Sequence, residues 1–166
     1  MLAGDNDEYN RLRFLPFQQV REMAVQAQGE RIALLKRAAE SYKHGNMTGM
    51  GSASYYSSQG RNMTSGVERL HRIAAQLTLE SFNPTLVSTR KLDLHHLYVE
   101  EAVLVTAEFI NYYELCRDRG QLSIVTGRGN HSTSGKSRLT PAIWNMLKNS
   151  KKKFSFDGIA TFSVFL

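Results

Sequence analysis

Residues 91–126 read KLDLHHLYVEEAVLVTAEFINYYELCRDRGQLSIVT, and their order decides the fold. Lys91-Leu92-Asp93-Leu94-His95 alternates with a period of two, the pattern of a strand with one face in a core. From Tyr98 to Arg119 the period becomes helical. Val99, Ala102, Val103, Ala107, Ile110 and Tyr113 share a face, and Gly120 reads as the residue that ends the helix. Residues 121–126 then form a short apolar strand. Downstream, residues 127–135 are a Gly/Ser/His loop. Residues 137–149 read as a helix with Leu139, Ile143, Met146 and Leu147 inward and Pro141 in its first turn. Residues 154–156 and 159–166 flank Asp157-Gly158 as a closing hairpin. The order β-α-β-α-β-β predicts an α/β two-layer sandwich with its helices packed on a small sheet.

Upstream, residues 9–83 read as an α-helical hairpin extension. Pro16 limits a first helix or opens the next one. Met23, Ala27, Ile32, Leu35, Ala38, Ala39 and Tyr42 recur at helical spacing, and His44-Gly45 stops them. Residues 46–60 are rich in Gly, Ser, Met and Tyr and fit either a short helix or an ordered loop. A further helix over residues 65–82 places Val67, Leu70, Ile73, Ala74 and Leu77 on one face, and Asn83-Pro84 ends it.

The 166 residues carry 21 Lys plus Arg against 15 Asp plus Glu, a net charge of +6 that favours polyanionic partners. The excess is local: residues 120–156 hold seven basic residues and no acidic one. No apolar run approaches a membrane span. The opening MLAGDNDEYN does not have the pattern of a signal peptide, so a cytoplasmic location is expected. Cys116 is the single cysteine, which excludes a disulfide framework within the chain and a Cys-rich zinc site. The histidines show no metal-ligand spacing, and neither metal nor cofactor is expected.

Three clusters carry potential chemistry. On a strand, i and i+2 project together, so Asp93 and His95 share a face while Leu92 and Leu94 point into the core. An imidazole works as general acid or base near neutral pH, and a carboxylate orients it. The same spacing also occurs on strand faces without chemistry. The second cluster is Thr126-Gly127-Arg128-Gly129-Asn130-His131-Ser132. A glycine-rich turn leaving a strand lets backbone N–H groups approach an anion, and Arg128 adds a planar fork suited to phosphate. Gly135-Lys136-Ser137 imitates a P-loop, but five residues separate Gly129 from Gly135 where that motif needs four. The third cluster is basic: Lys136, Arg138, Lys148 and the run Lys151, Lys152, Lys153, which can track a nucleic-acid backbone or simply solvate a helix end.

The pairing of LDLH at 92–95 with IVTGRGNHS at 124–132, across a long helix, resembles the small MutS-related (Smr) domain over residues 90–166. Residues 9–83 look like the helical extension that often precedes Smr domains in eukaryotes. The likeness is to the no-go-decay endonucleases that cut mRNA on stalled or collided ribosomes. It maps the family's Asp-x-His onto Asp93 and His95, expected to be catalytic, and its TGxG loop onto Thr126, Gly127, Arg128 and Gly129; the guanidinium of Arg128 is expected to complete the catalytic set. Together with the glycine-rich and basic clusters read above, this gives expected nucleic-acid contacts at Thr126, Gly127, Gly129, His131, Lys136, Arg138, Lys151, Lys152 and Lys153. The partners implied are mRNA and the ribosome, with ubiquitin reached through other parts of a longer chain. Smr domains commonly have glycine after the motif histidine; here the residue is His96.

Overall fold

A computed structural model describes residues 6–43, 47–127 and 137–166. The chain divides into two compact units between Leu77 and Thr78. Arg128, Gly129, His131 and Lys136 lie outside the described residues.

The first unit is helical: α1 (Asn6–Leu12), α2 (Phe17–Lys43), α3 (Met47–Asn62) and the start of α4 (Thr64–Phe82). Pro16 stands just before α2, and its carbonyl accepts from Gln19 and Val20 N–H, so the ring occupies a helix start where no N–H is required. Val20, Ile73, Ala74 and Leu77 form a buried cluster, with Tyr9, Leu12, Leu15 and Phe17 packed against it. The glycine- and serine-rich segment left open by its composition is the helix α3, so the extension has three long helices where two were expected. The buried stripe of α2 is also displaced from the expected one. Val20, Ala24 and Ala38 are buried, whereas Met23, Ile32 and Tyr42 are exposed. In a helix with this many alanines, the neighbours it packs against select the face, because no single apolar stripe dominates.

The second unit opens with the last turn of α4 and the short α5 (Leu86–Thr89). It continues as β1 (Lys91–Asp93), α6 (Val99–Leu115), β2 (Gln121–Val125), α7 (Leu139–Asn149), β3 (Lys153–Phe156) and β4 (Thr161–Phe165). The expected β-α-β-α-β-β order is observed. The sheet order is β1-β2-β4-β3; β1 and β2 run parallel, and the other pairs are antiparallel. Alternation puts Leu92, Leu94, Leu122, Ile124, Phe162 and Val164 on one face, all fully buried, and α7 contributes Ile143 and Leu147 to the same core. Trp144 of α7 meets Phe154, Phe156 and Phe162 edge-on. Among the described residues no helix is long and apolar enough to cross a membrane.

Strand β1, read from the sequence as residues 91–95, ends at Asp93, so His95 stands in the turn beyond it and not on a strand face. Two later boundaries also differ from the sequence reading. Helix α6 ends at Leu115, and Arg117, at φ 54°, takes the left-handed position assigned above to Gly120. Arg117 N–H bonds to Glu114 O and Asp118 N–H to Tyr113 O, the paired bonds of a Schellman turn. Gly120 serves space instead: a methyl group there would overlap the Arg90 guanidinium, which reaches past it to Asp118. The second difference is at the hairpin, where Ile159 and Ala160 belong to the loop.

The loop closes on Asp157, whose Oδ1 accepts from the N–H groups of Ile159, Ala160 and Thr161 at 2.8, 2.8 and 2.9 Å. These bonds, that from Thr161 foremost, lower its pKa from 3.8 to about 2. A depressed carboxyl pKa stabilises the fold above the unfolded value, and the stabilisation disappears as pH falls through the folded value. The melting temperature of the wild-type chain should therefore fall between pH 4 and pH 2 more steeply than that of Asp157→Asn. Equal slopes in thermal melts across that window would refute the assignment.

Candidate nuclease site

Strand β1 delivers Asp93 at its end. The chain then turns through residues 94–97, closed by Leu97 N–H to Leu94 O at 3.2 Å. His95 and His96 are the central residues, and His96 has φ 64°. A positive φ at the second central position marks a type II turn, where glycine is preferred. The glycine usual at this position in Smr domains therefore has a backbone reason, and His96 occupies a conformation that glycine would enter without cost. Its ring stacks on Phe82, with centroids 5.0 Å apart, an apolar contact that offsets part of the strain.

The turn brings His95 back onto Asp93. Its backbone N–H donates to Asp93 Oδ1 at 2.9 Å, and Nδ1 of the ring bonds the same oxygen. With Nδ1 committed to the carboxylate, Nε2 is the ring nitrogen left for another partner. It lies against Gly127, the first residue beyond Thr126. A methyl group at Gly127 would sit 2.7 Å from Nε2, and Gly127 has φ 73°. Close approach and backbone conformation both require glycine here. The side chains of Asp93 and His95 are 24% and 41% exposed. An ion pair so solvated contributes only about 0–1 kcal/mol to stability, which is little reason to hold an imidazole in one orientation.

Thr126 is a buried anchor and does not present a surface donor. Its N–H and Oγ1 both donate to Ala160 O, at 2.8 and 3.0 Å, and Oγ1 also meets Thr140 Oγ1 at 2.8 Å. It therefore ties the glycine turn to the β3–β4 loop and to α7. Arg138 is exposed beside the first turn of α7. The lysine run lies elsewhere. Asp93 aligns through Val125 with Thr161, whereas Lys153 aligns through Phe165 with Gln121. Three strand spacings and four residues separate the two corners, roughly 20 Å. Lys151 adopts φ 53° in the turn that ends α7, and Lys152 pairs with Glu114, which leaves Lys151 and Lys153 exposed. These lysines lie too far from His95 to act on the same single group. Among the described residues no group of three or more His, Cys, Asp or Glu could hold a metal ion.

One residue of the site was not anticipated. Asn83, taken from the sequence only as a helix stop, accepts from Asp93 N–H at 2.6 Å and donates to Asp93 O at 2.9 Å.

Two family models match the chain. The family model described as "Smr domain" matches residues 92–159, from the strand that carries Asp93 to the β3–β4 loop. The chain belongs to the Smr-domain family. A second model, "Domain of unknown function (DUF1771)", matches residues 17–83. NEDD4-binding protein 2 of Homo sapiens is 30% identical over 132 residues, covering 77% of this chain and 7% of that protein. Endonuclease NBR9 of Saccharomyces cerevisiae is 26% identical over 136 residues, covering 82% of this chain and 55% of NBR9. The solution structure of the B3BP Smr domain is 32% identical, covers 60% of this chain and 97% of its own, and superposes with a TM-score of 0.47. This Smr chain thus spans only part of the curated relatives, one of which is named an endonuclease.

Proposed function

We propose that this Smr domain is an RNA endonuclease that cleaves mRNA on stalled or collided ribosomes in the cytoplasm. The observation that carries the reading is the orientation of His95. Asp93 holds Nδ1, and Nε2 faces Gly127, the residue that precedes Arg128 in the sequence. A carboxylate that fixes the Nδ1–H tautomer leaves a lone pair on Nε2 and stabilises the imidazolium that forms when Nε2 takes a proton.

In the proposed reaction Nε2 removes the proton of a ribose 2′-hydroxyl, and the 2′-oxygen attacks the adjacent phosphorus. The 5′-oxygen leaves, its bond to phosphorus breaking as the 2′-oxygen bond forms, and takes a proton from solvent water, while the imidazolium returns its own to solvent; the products are a 2′,3′-cyclic phosphate and a 5′-hydroxyl. Arg128, next in the chain after Gly127, and the backbone donors around it would stabilise the charge gathering on the phosphoryl oxygens. The net charge of +6 supports a polyanionic substrate, and the name of NBR9 supports cleavage. The ribosome is proposed as the partner that positions mRNA on the site. Ubiquitin is proposed to be reached through other parts of a longer chain.

End-group analysis of RNA cut by the wild-type chain tests the chemistry. The expected products carry 2′,3′-cyclic phosphate and 5′-hydroxyl ends, appear undiminished in EDTA, and are absent with an all-deoxy strand. Ends bearing 5′-phosphate, or nicking of the deoxy strand, would transfer the site to a different nuclease mechanism. RNA binding with no cleavage, even on collided ribosomes, would make it a binding module.

A further inference from the structure

We propose that Asn83 is a positioning residue for the Asp93–His95 pair, an inference that rests on the nuclease reading above. Strand β1 lies at an edge of the sheet. Leu94 N–H bonds Val125 O, and Ser123 N–H bonds Arg90 O. The intervening N–H and C=O of Asp93 therefore point away from β2, toward the open side. An unpaired strand end is free to fray and slide, and here that end carries the carboxylate on which the imidazole orientation depends.

Asn83 closes the edge at this one residue. Its Oδ1 accepts from Asp93 N–H at 2.6 Å, and its Nδ2 donates to Asp93 O at 2.9 Å and to Leu79 O at 3.0 Å. The carboxamide acts as a one-residue substitute for a neighbouring strand. It also ties that residue to the last turn of α4, where Leu79 O accepts from the backbone N–H of Asn83 at 2.9 Å as well as from Nδ2. Two donors and one acceptor are used together, a combination that only an amide side chain supplies. Aspartate keeps the acceptor and loses both donors, and alanine loses all three bonds. Asp93 is thereby held from two sides: its backbone by Asn83, and its Oδ1 by the N–H and ring of His95. A shift of about 1 Å in a group that orients a catalytic side chain can cost a hundredfold in rate.

The test compares wild type with Asn83→Ala and Asn83→Asp in the full 166-residue chain. Three quantities are measured: single-turnover cleavage of RNA, RNA affinity, and the NMR resonance of the His95 Nδ1 proton. The expected result is a loss of about ten- to a hundredfold in rate for both variants, with RNA affinity retained. The downfield Nδ1–H signal of His95 should move upfield or broaden as the carboxylate loses its fixed position. An unchanged His95 signal in a folded Asn83→Ala protein overturns the proposal, even if the melting temperature drops, because Asn83 is then only a helix stop. Should Asn83→Ala fail to fold, Asn83→Asp gives the same reading with one bond kept. The NMR signal needs no turnover. If the wild type cleaves nothing, the nuclease reading fails while the positioning role is still judged from the spectrum.

Discussion

Replacing His95 by glutamine is expected to lower the proposed RNA cleavage by about 10²–10⁴-fold, the usual contribution of a positioned general acid or base, and to leave RNA affinity unchanged. Glutamine fills similar space and retains a donor for Asp93, but it has no nitrogen that takes up a proton near neutral pH. Because the Asp93–His95 pair is partly solvated, its loss costs little stability, so the expected defect is in the chemical step. Asp93→Asn gives a related defect. The amide no longer stabilises the imidazolium, and it can invert the tautomer so that Nε2 carries the proton. Single-turnover rates under saturating enzyme, with filter binding in parallel, check both variants. A His95→Gln rate within threefold of wild type would remove imidazole from the reaction altogether.

Gly127→Ala has the second largest effect, and it acts through two separable causes. A residue with a Cβ at φ 73° carries strain of about 1–3 kcal/mol. The same Cβ also meets His95 Nε2 at 2.7 Å, closer than such atoms pack. The ring cannot swing aside without breaking its bond to Asp93, so cleavage should fall about a hundredfold. Urea unfolding measures the first cause, and a double-mutant cycle isolates the second. In a His95→Ala background the overlap is gone, and the stability cost of Gly127→Ala should shrink to the backbone strain alone. A cost that is the same in both backgrounds would mean that the ring and the turn do not press on each other.

Much of the Smr unit was legible from spacing alone. Period-two alternation around Leu92 and Leu94, the helical face through Ile110 and Tyr113, and the apolar run of β2 each report burial on one side, and burial is what a strand or helix pattern encodes. The hairpin was legible too, since Asp157-Gly158 has few alternatives to a turn. Its extent was not, because the strand limit depends on three N–H groups that Asp157 collects. Helix ends were the weakest point. Arg117 and Lys151 both sit in the left-handed region that favours glycine, because turn bonds and packing can override residue preference by about 1 kcal/mol. In the helical extension the composition of α3 carried no decisive signal, and the alanine-rich α2 did not specify which side would be covered.

The sequence by itself determined the order of elements, the pairing of Asp93 with His95 two residues on, and membership of a family whose two motifs stand at either end of a long helix. These follow from local periodicity and from residue identity, which a linear string contains in full. Only the tertiary structure decided that Nε2 of His95 rests against Gly127, that Thr126 is an internal anchor, that the lysine run occupies the opposite corner of the sheet, and that Asn83 closes the edge at Asp93. Each of those depends on strand order, register and the free hydrogen-bonding side of an edge strand. Such properties arise when segments distant in sequence are brought into one sheet, and no local pattern records them.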